Sequence, residues 1–229
     1  SLQVTVDKQF GSGFSLYANY VWSKTLSNTE SSFVGDNPGP LDYYNLKLEK
    51  APTSYDRPHM FKAYGQWNLP VGKGQMWAPR WRILDALIGG WALTGIVNYY
   101  SGTPLGFSGA SSPMPNGWNG GQRPNIAPGN MRASGFRKDA FNLANTSAPS
   151  NTYINKSLFS DPPPLTLGTA APRYTQIRGF GTISEDLGLM KNFRVQERYR
   201  IQIRAEFLNA FNRHNLGGIN TNINNALFG

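Results

Sequence analysis

The sequence predicts an all-β, antiparallel fold, and three observations predict it. Six segments of the 229-residue chain alternate apolar and polar side chains residue by residue, the period of a strand with two unlike faces. Gly (25) and Pro (16) are abundant and aromatic residues reach 13%, while charged residues are only 15%, below the roughly 25% usual in soluble domains. Mean hydropathy is −0.43, and no run approaches the roughly 18 apolar residues of a membrane-crossing helix. That excludes a helical membrane protein and leaves open one built from strands, which look only mildly apolar.

From Leu2 to Phe10, the residues Leu2, Val4, Val6 and Phe10 alternate with Gln3, Thr5, Asp7 and Gln9. "GSG" (Gly11–Gly13) then turns the chain, glycine adopting positive φ at little cost. From Phe14 to Ser23, the residues Phe14, Leu16, Ala18, Tyr20 and Trp22 oppose Ser15, Tyr17, Asn19, Val21 and Ser23, which predicts a hairpin with the first segment. A long break, Lys24–Arg57, is rich in Asn, Ser, Pro and Asp. The third strand is expected from about His59 to Leu69, with Phe61, Ala63, Gly65, Trp67 and Leu69 on one face and Lys62, Tyr64, Gln66 and Asn68 on the other. After a turn at Pro70–Gln75, "APRWRILDALIGG" (Ala78–Gly90) reads either as a short amphipathic helix or as the start of the next strand. The fourth strand is expected from about Gly90 to Ser101, with Trp91, Leu93, Gly95, Val97 and Tyr99 opposite Thr94, Ile96, Asn98 and Tyr100. Gly102–Phe180 is loop-like, crowded with Pro, Gly, Asn and Ser. The fifth strand is expected from Thr182 to Arg194, and "VQER" (Val195–Arg198) turns it into the sixth, 198–211. There Tyr199, Ile201, Ile203, Ala205, Phe207, Asn209 and Phe211 alternate with Arg200, Gln202, Arg204, Glu206, Leu208 and Ala210.

The connections run short, long, short, long, short. A structureless loop as long as 102–180 argues against a compact soluble domain. Short turns at one end and long loops at the other match an up-and-down β-barrel wall in an outer membrane, with periplasmic turns and extracellular loops. Strand lengths suit about 9–11 tilted residues across the bilayer core. Aromatics at the strand ends (Phe10, Phe14, Tyr20, Trp22, Trp67, Trp91, Tyr99, Phe211) stand where interfacial girdles lie. The competing reading is a soluble β-sandwich or an extracellular adhesive β-protein, with the greasy face as core. Small residues on that face (Ala18, Ala63, Gly65, Gly95, Ala205) suit lipid better than a densely packed core.

Four stretches carry a resemblance. "SYDRPHMFKAYGQWNLPVGKG" (Ser54–Gly74) has a Y-D-x-x-H-x-F opening and an L-P-x-G-x-G end, and "GGWALTGIVNYYSGTPL" (Gly89–Leu105) starts G-G-W and leaves by S-G-x-P. "DLGLMKNFRV" (Asp186–Val195) and "RAEFLNAFNRHNLG" (Arg204–Gly217) complete the set. Together they resemble the C-terminal barrel of TonB-dependent outer-membrane receptors, of the large Oar-like type frequent in acidobacterial genomes, over nearly all of the chain except Asn116–Ala170. The resemblance implies a Gram-negative outer-membrane location and a barrel of about 22 strands closed by a plug. It further implies uptake of a scarce large solute, driven by a TonB-type energising complex. The plug and TonB box are absent from this sequence, and six strands fall short of the roughly eight needed to close a barrel. The expectation is therefore a portion of a larger receptor, its partners being outer-membrane lipid, the remaining strands, the plug, the energising complex and an unidentified solute. The opening "SLQVTVDKQF" reads as a strand and not as a signal peptide, so either the chain stays in the cytosol or its front is missing.

The net charge of +9 comes from scattered Lys and Arg with no basic run, so a polar lumen or anionic lipid explains it better than nucleic acid. There is no Cys, hence no disulfide or thiolate metal site. His59 and His214 lack partners at a recognisable metal or acid–base spacing, Asp56 near His59 being the sole weak hint. No cofactor, metal or catalytic residue is expected. The candidate lumen-facing set is Lys62, Gln66, Asn98, Arg200, Gln202, Arg204 and Glu206. It serves either as contact with solute or plug, or as a charge ladder bracing the wall, with Arg204 and Glu206 pairing together or across strands. Tyr43, Tyr44 and Trp118 are candidate loop contacts by stacking, against simple loop self-packing. The acidic loop residues Asp36, Asp42, Glu49 and Asp56 offer oxygen ligands for a bracing Ca²⁺.

Overall fold

The computed structural model describes residues 1–11, 13–28, 40–72, 74–78, 80–115, 122–142, 144–145, 148–195 and 199–229; at 82, 194, 195 and 200 it describes the backbone. These residues form two compact units.

The first unit is built on a six-stranded sheet in sequence order, every neighbour antiparallel. Its strands are β1 (Leu2–Phe10), β2 (Phe14–Trp22), β3 (His59–Asn68), β4 (Trp91–Tyr100), β5 (Thr182–Val195) and β6 (Tyr199–Phe207). The register makes each face continuous, because directly opposed residues point the same way. Val6, Ala18, Ala63 and Val97 form one apolar row, which ends on Glu185; Leu16, Gly65, Gly95, Leu187 and Phe207 form the next, with Lys8 at its other edge. Thr5, Asn19, Lys62, Asn98 and Ser184 form a polar row on the reverse.

The apolar face is open to its surroundings: Val6 is 48%, Leu93 41% and Ile203 59% exposed. A soluble sandwich would cover that face with a second sheet, and among the described residues none does. An open apolar surface of this kind marks a membrane-facing or protein-facing side. β1 and β6 each pair on one side only among the described residues.

At the turn between β1 and β2, Gly13 has φ +79° and its N–H donates to the Phe10 carbonyl at 3.1 Å. The turn read at Val195–Arg198 lies, beyond Val195, outside the described residues. The ambiguous stretch before β4 is a helix, α1 (Arg82–Ile88), whose end is set by two glycines. Gly89 donates to Asp85 O at 2.9 Å, and Gly90 takes φ +72° where a Cβ would strike the Asn192 carbonyl. This accounts for the G-G-W sequence.

The sixth strand is shorter than its alternation suggests, ending at Phe207 and not Phe211. Asn209 and Asn212 both take φ +49°, a left-handed conformation that Asn tolerates and a strand does not. Beyond them the chain binds β5 through side chains: the Asn215 amide donates to Ile183 O and accepts from Ile183 N, both at 3.1 Å. Arg213 grips Glu185 with two contacts at 2.9 Å.

The second unit comprises Lys24–Arg57, Gly102–Phe180 and Gly217–Gly229. The expectation of loop-like segments needs correction here. Gly102–Phe180 and Gly217–Gly229 share a hydrophobic core of Phe107, Tyr153, Ile154, Ile177, Ile223 and Phe228, with Phe136, Phe159, Tyr174 and Phe180 packed on it. Phe107 and Phe159 have ring centroids 4.2 Å apart, and Phe136 stacks on Phe180 at 5.5 Å. Two- to five-residue ladders hold the segments: Leu26–Ser27 with Ala51–Pro52, Pro104–Leu105 with Tyr174–Arg178, and Asn125–Ile126 with Phe159–Ser160. Apolar residues spaced irregularly along Pro-rich chain show no period, so pattern reading sees only loop.

Candidate functional site

The alternation of β2 to β6 sends the candidate polar residues to one face, and register brings them into rows. Lys62 lies between Asn19 and Asn98; Gln66 shares a row with Ser15, Thr94, Gly188 and Glu206. Gln202 opposes Asn192 and donates to its Oδ1 at 3.0 Å. Arg204 and Glu206 meet each other at 3.2 Å, both half exposed, a geometry worth about 0–1 kcal/mol. Asn19 donates to Thr5 Oγ1 at 2.9 Å, Gln66 to Asn68 Oδ1 at 3.1 Å, and the Lys62 ammonium stands 5.7 Å over the Tyr100 ring. Arg200 belongs to β6 by its backbone, opposite Arg194; its side chain is outside the description.

The face is thus a hydrogen-bonding wall. Part of it is satisfied by neighbours along and across strands, and part, at Lys62 and Gln66, is exposed. Tyr17 and Tyr64 stack at 5.1 Å in its middle, adding a flat aromatic surface to the wall. Among the described residues no three His, Asp or Glu side chains gather as metal ligands. His59 instead shares a 2.8 Å hydrogen bond with the Tyr20 hydroxyl.

Of the loop candidates, Tyr43 is 55% and Tyr44 fully exposed in the second unit, and Trp118 lies outside the described residues. Among the described residues the acidic side chains do not gather as ligands of a shared cation. Asp42 accepts the Tyr44 N–H at 2.8 Å, and Glu49 and Asp56 each meet a guanidinium; Asp36 is outside the description. Glu49 is buried against Arg123 at 3.1 Å and also accepts the Leu41 N–H at 2.9 Å. Burial draws the Arg123 guanidinium below its ordinary pKa, with Glu49 pulling the other way.

Asp56 is the residue that sequence reasoning undervalued. Its fully buried carboxylate meets Arg178 Nη2 at 2.7 Å and accepts the Thr25 N–H at 2.6 Å. Arg178 Nη1 donates to the Asp56 and Gly102 carbonyls at 3.0 and 3.3 Å. Residues 25, 56, 102 and 178 each stand within two positions of an end of Lys24–Arg57 or Gly102–Phe180. One ion pair therefore gathers the four roots of the second unit's two long segments. The Y-D-x-x-H spelling held the signal, but its partner is 122 residues away.

The family model described as "outer membrane beta barrel domain" matches residues 1–229. No curated protein and no solved structure matches the chain.

Proposed function

We propose, because this chain belongs to the outer membrane beta barrel domain family and resides in the outer membrane, that it forms part of the wall and the folded external loops of a TonB-dependent transporter for a scarce large solute. The observation that carries this reading is the two-faced sheet. An open apolar face suits lipid, and a reverse face of Lys62, Gln66, Asn98, Gln202, Arg204 and Glu206 suits a wide wet lumen. The four sequence stretches resembling Oar-like receptors add the transport class. In this reading further strands and a plug of the same protein complete a barrel of about 22 strands, an energising complex drives it, and this chain performs no catalytic step.

The second unit favours one other reading. Gly102–Phe180 and Gly217–Gly229 have a core of their own, a preformed surface that an adhesive surface protein would also use, and Tyr43 and Tyr44 are exposed in the same unit. Uptake separates the two. Cells with the gene deleted should lose accumulation of one class among labelled siderophore, cobalamin, oligosaccharide and peptide. Collapsing the proton gradient in wild-type cells should abolish the same uptake. Surface binding that persists without gradient-dependent accumulation would support adhesion and overturn transport.

A further inference from the structure

We propose that α1 is a membrane-interface anchor: it lies in the lipid leaflet at the short-turn end of the wall, with Ile83, Leu84, Leu87 and Ile88 among phospholipid acyl chains. The helix has seven residues, too few to persist on propensity alone, so it needs a medium or a surface for its apolar side. Yet Ile83 is 78% and Leu87 63% exposed, and Trp81 just before the helix is 78% exposed. Trp77, also outward, adds a second ring of the type enriched where bilayer meets water.

The way the helix is tied down decides which side of the wall it occupies. Lys191 Nζ donates to Leu87 O at 3.0 Å and also to Gly89 O, while Trp91 Nε1 donates to Leu87 O at 3.0 Å. Lys191 and Trp91 are opposed residues of the apolar face, so α1 is bound to the apolar side of β4 and β5 and not to the polar one. Ala86 and Leu87 line one groove of about 260 Å³ together with Trp91, Leu189, Phe193 and Ile203. The apolar surface of the strands therefore continues onto the helix, and whatever wets the one wets the other. On a barrel in the outer membrane that medium is lipid. The anchoring bonds also make lipid tolerable, because they occupy carbonyls at the helix end that would otherwise be bare. Lys191 is itself 4% exposed, its ammonium 5.1 Å from the ring centroids of both Trp91 and Phe193. A short helix with apolar side chains outward and its last turn tied to the wall suits the interface, where such helices lie. The inference rests on the apolar face meeting lipid and is independent of what the protein transports.

Single cysteines at Ile83, Leu87 and Asp85 test it, in the full-length protein free of other cysteines, spin-labelled and inserted in phosphatidylcholine–phosphatidylglycerol vesicles. Val97→Cys and Gln66→Cys serve as references for the two faces. Labels at 83 and 87 should collide with oxygen, relative to a water-soluble nickel chelate, several-fold more than the label at 85, and should match the label at 97. If 97 reads lipid while 83 and 87 read water, the anchor is wrong and the wall orientation stands. If 97 reads water, the orientation fails and takes the anchor with it. Intermolecular spin broadening at 83 and 87 would put a second copy there and overturn the lipid assignment. Should the labelled variants insert poorly, tryptophan quenching by bromolipid gives a second measurement. Trp77→Phe/Trp81→Phe must then lose part of the wild-type quenching, and unchanged quenching overturns the proposal.

Discussion

At the scale of the residue, one ion pair has an outsized reach. Asp56 and Arg178 are both sequestered, and each bonds more than the other: Asp56 takes the Thr25 N–H, and Arg178 takes two carbonyls. Removing one partner of a buried pair leaves the other charge without compensation, a loss of roughly 3–5 kcal/mol. Asp56→Asn and Arg178→Met are therefore each expected to loosen the roots of Lys24–Arg57 and Gly102–Phe180. Limited proteolysis of the full-length protein in vesicles should show new cleavage confined to those two segments, with the strands protected. The double variant should recover part of the loss, since it removes both charges together. Equal cleavage of wild type and single variants would mean that the core around Phe107 and Ile154 holds the unit without the latch. Nothing in the local sequence announced Arg178. Ionic pairing over such a separation has no period and no spacing, so it becomes visible only when the chain is folded.

At the scale of the element, alternation was readable and its interruptions were not. From Leu2 to Phe10, Lys8 apart, or from Trp91 to Tyr99 every second residue answers to one medium, and the strand follows directly. The same rule overran β6: Leu208 and Asn209 already break the rhythm in spelling, and Asn209 and Asn212 turn left-handed. It also stalled at Ala78–Gly90, where a seven-residue helix and a strand start share one pattern. What settles that stretch is the pair Gly89–Gly90. Gly90 holds φ +72° with its Cα facing the Asn192 carbonyl, and Asn192 N donates to Gly90 O at 2.9 Å, so the helix exit is pinned to β5. Gly90→Ala must take a left-handed backbone, at about 1–2 kcal/mol, and displace the carbonyl as well. It should lower the temperature at which the folded band is lost on an SDS gel, and more than Gly74→Ala, which also has positive φ but open space around it. Equal shifts for the two variants would show that backbone strain alone matters and that the Asn192 contact does not.

At the scale of the whole molecule, the sequence carried the fold class because a barrel wall is written in its two faces, whereas the second unit's core is written in no repeat at all. The candidate polar residues were legible for the same reason: alternation assigns Lys62, Gln66 and Asn98 to a face before any coordinate is known. Alternation does not say which medium each face meets, and that is a question of free energy. A guanidinium forced onto a lipid-facing site near the bilayer midplane costs about 2–4 kcal/mol, whereas on a lumen-facing site it stays hydrated. β3 offers both within one strand. Ala63, near its middle, sits in the apolar row between Ala18 and Val97, and Gln66 sits in the polar row between Ser15 and Thr94. Ala63→Arg should therefore lower the unfolding free energy in phospholipid vesicles, read from reversible urea or guanidinium titration, by an amount in that range. Gln66→Arg should leave it nearly unchanged, because its neighbours in the row are uncharged hydroxyl side chains and the site is already exposed. If both variants lose the same stability, the two faces meet media of like polarity. If Gln66→Arg loses more, the wall is turned around, with Lys62 and its row toward lipid.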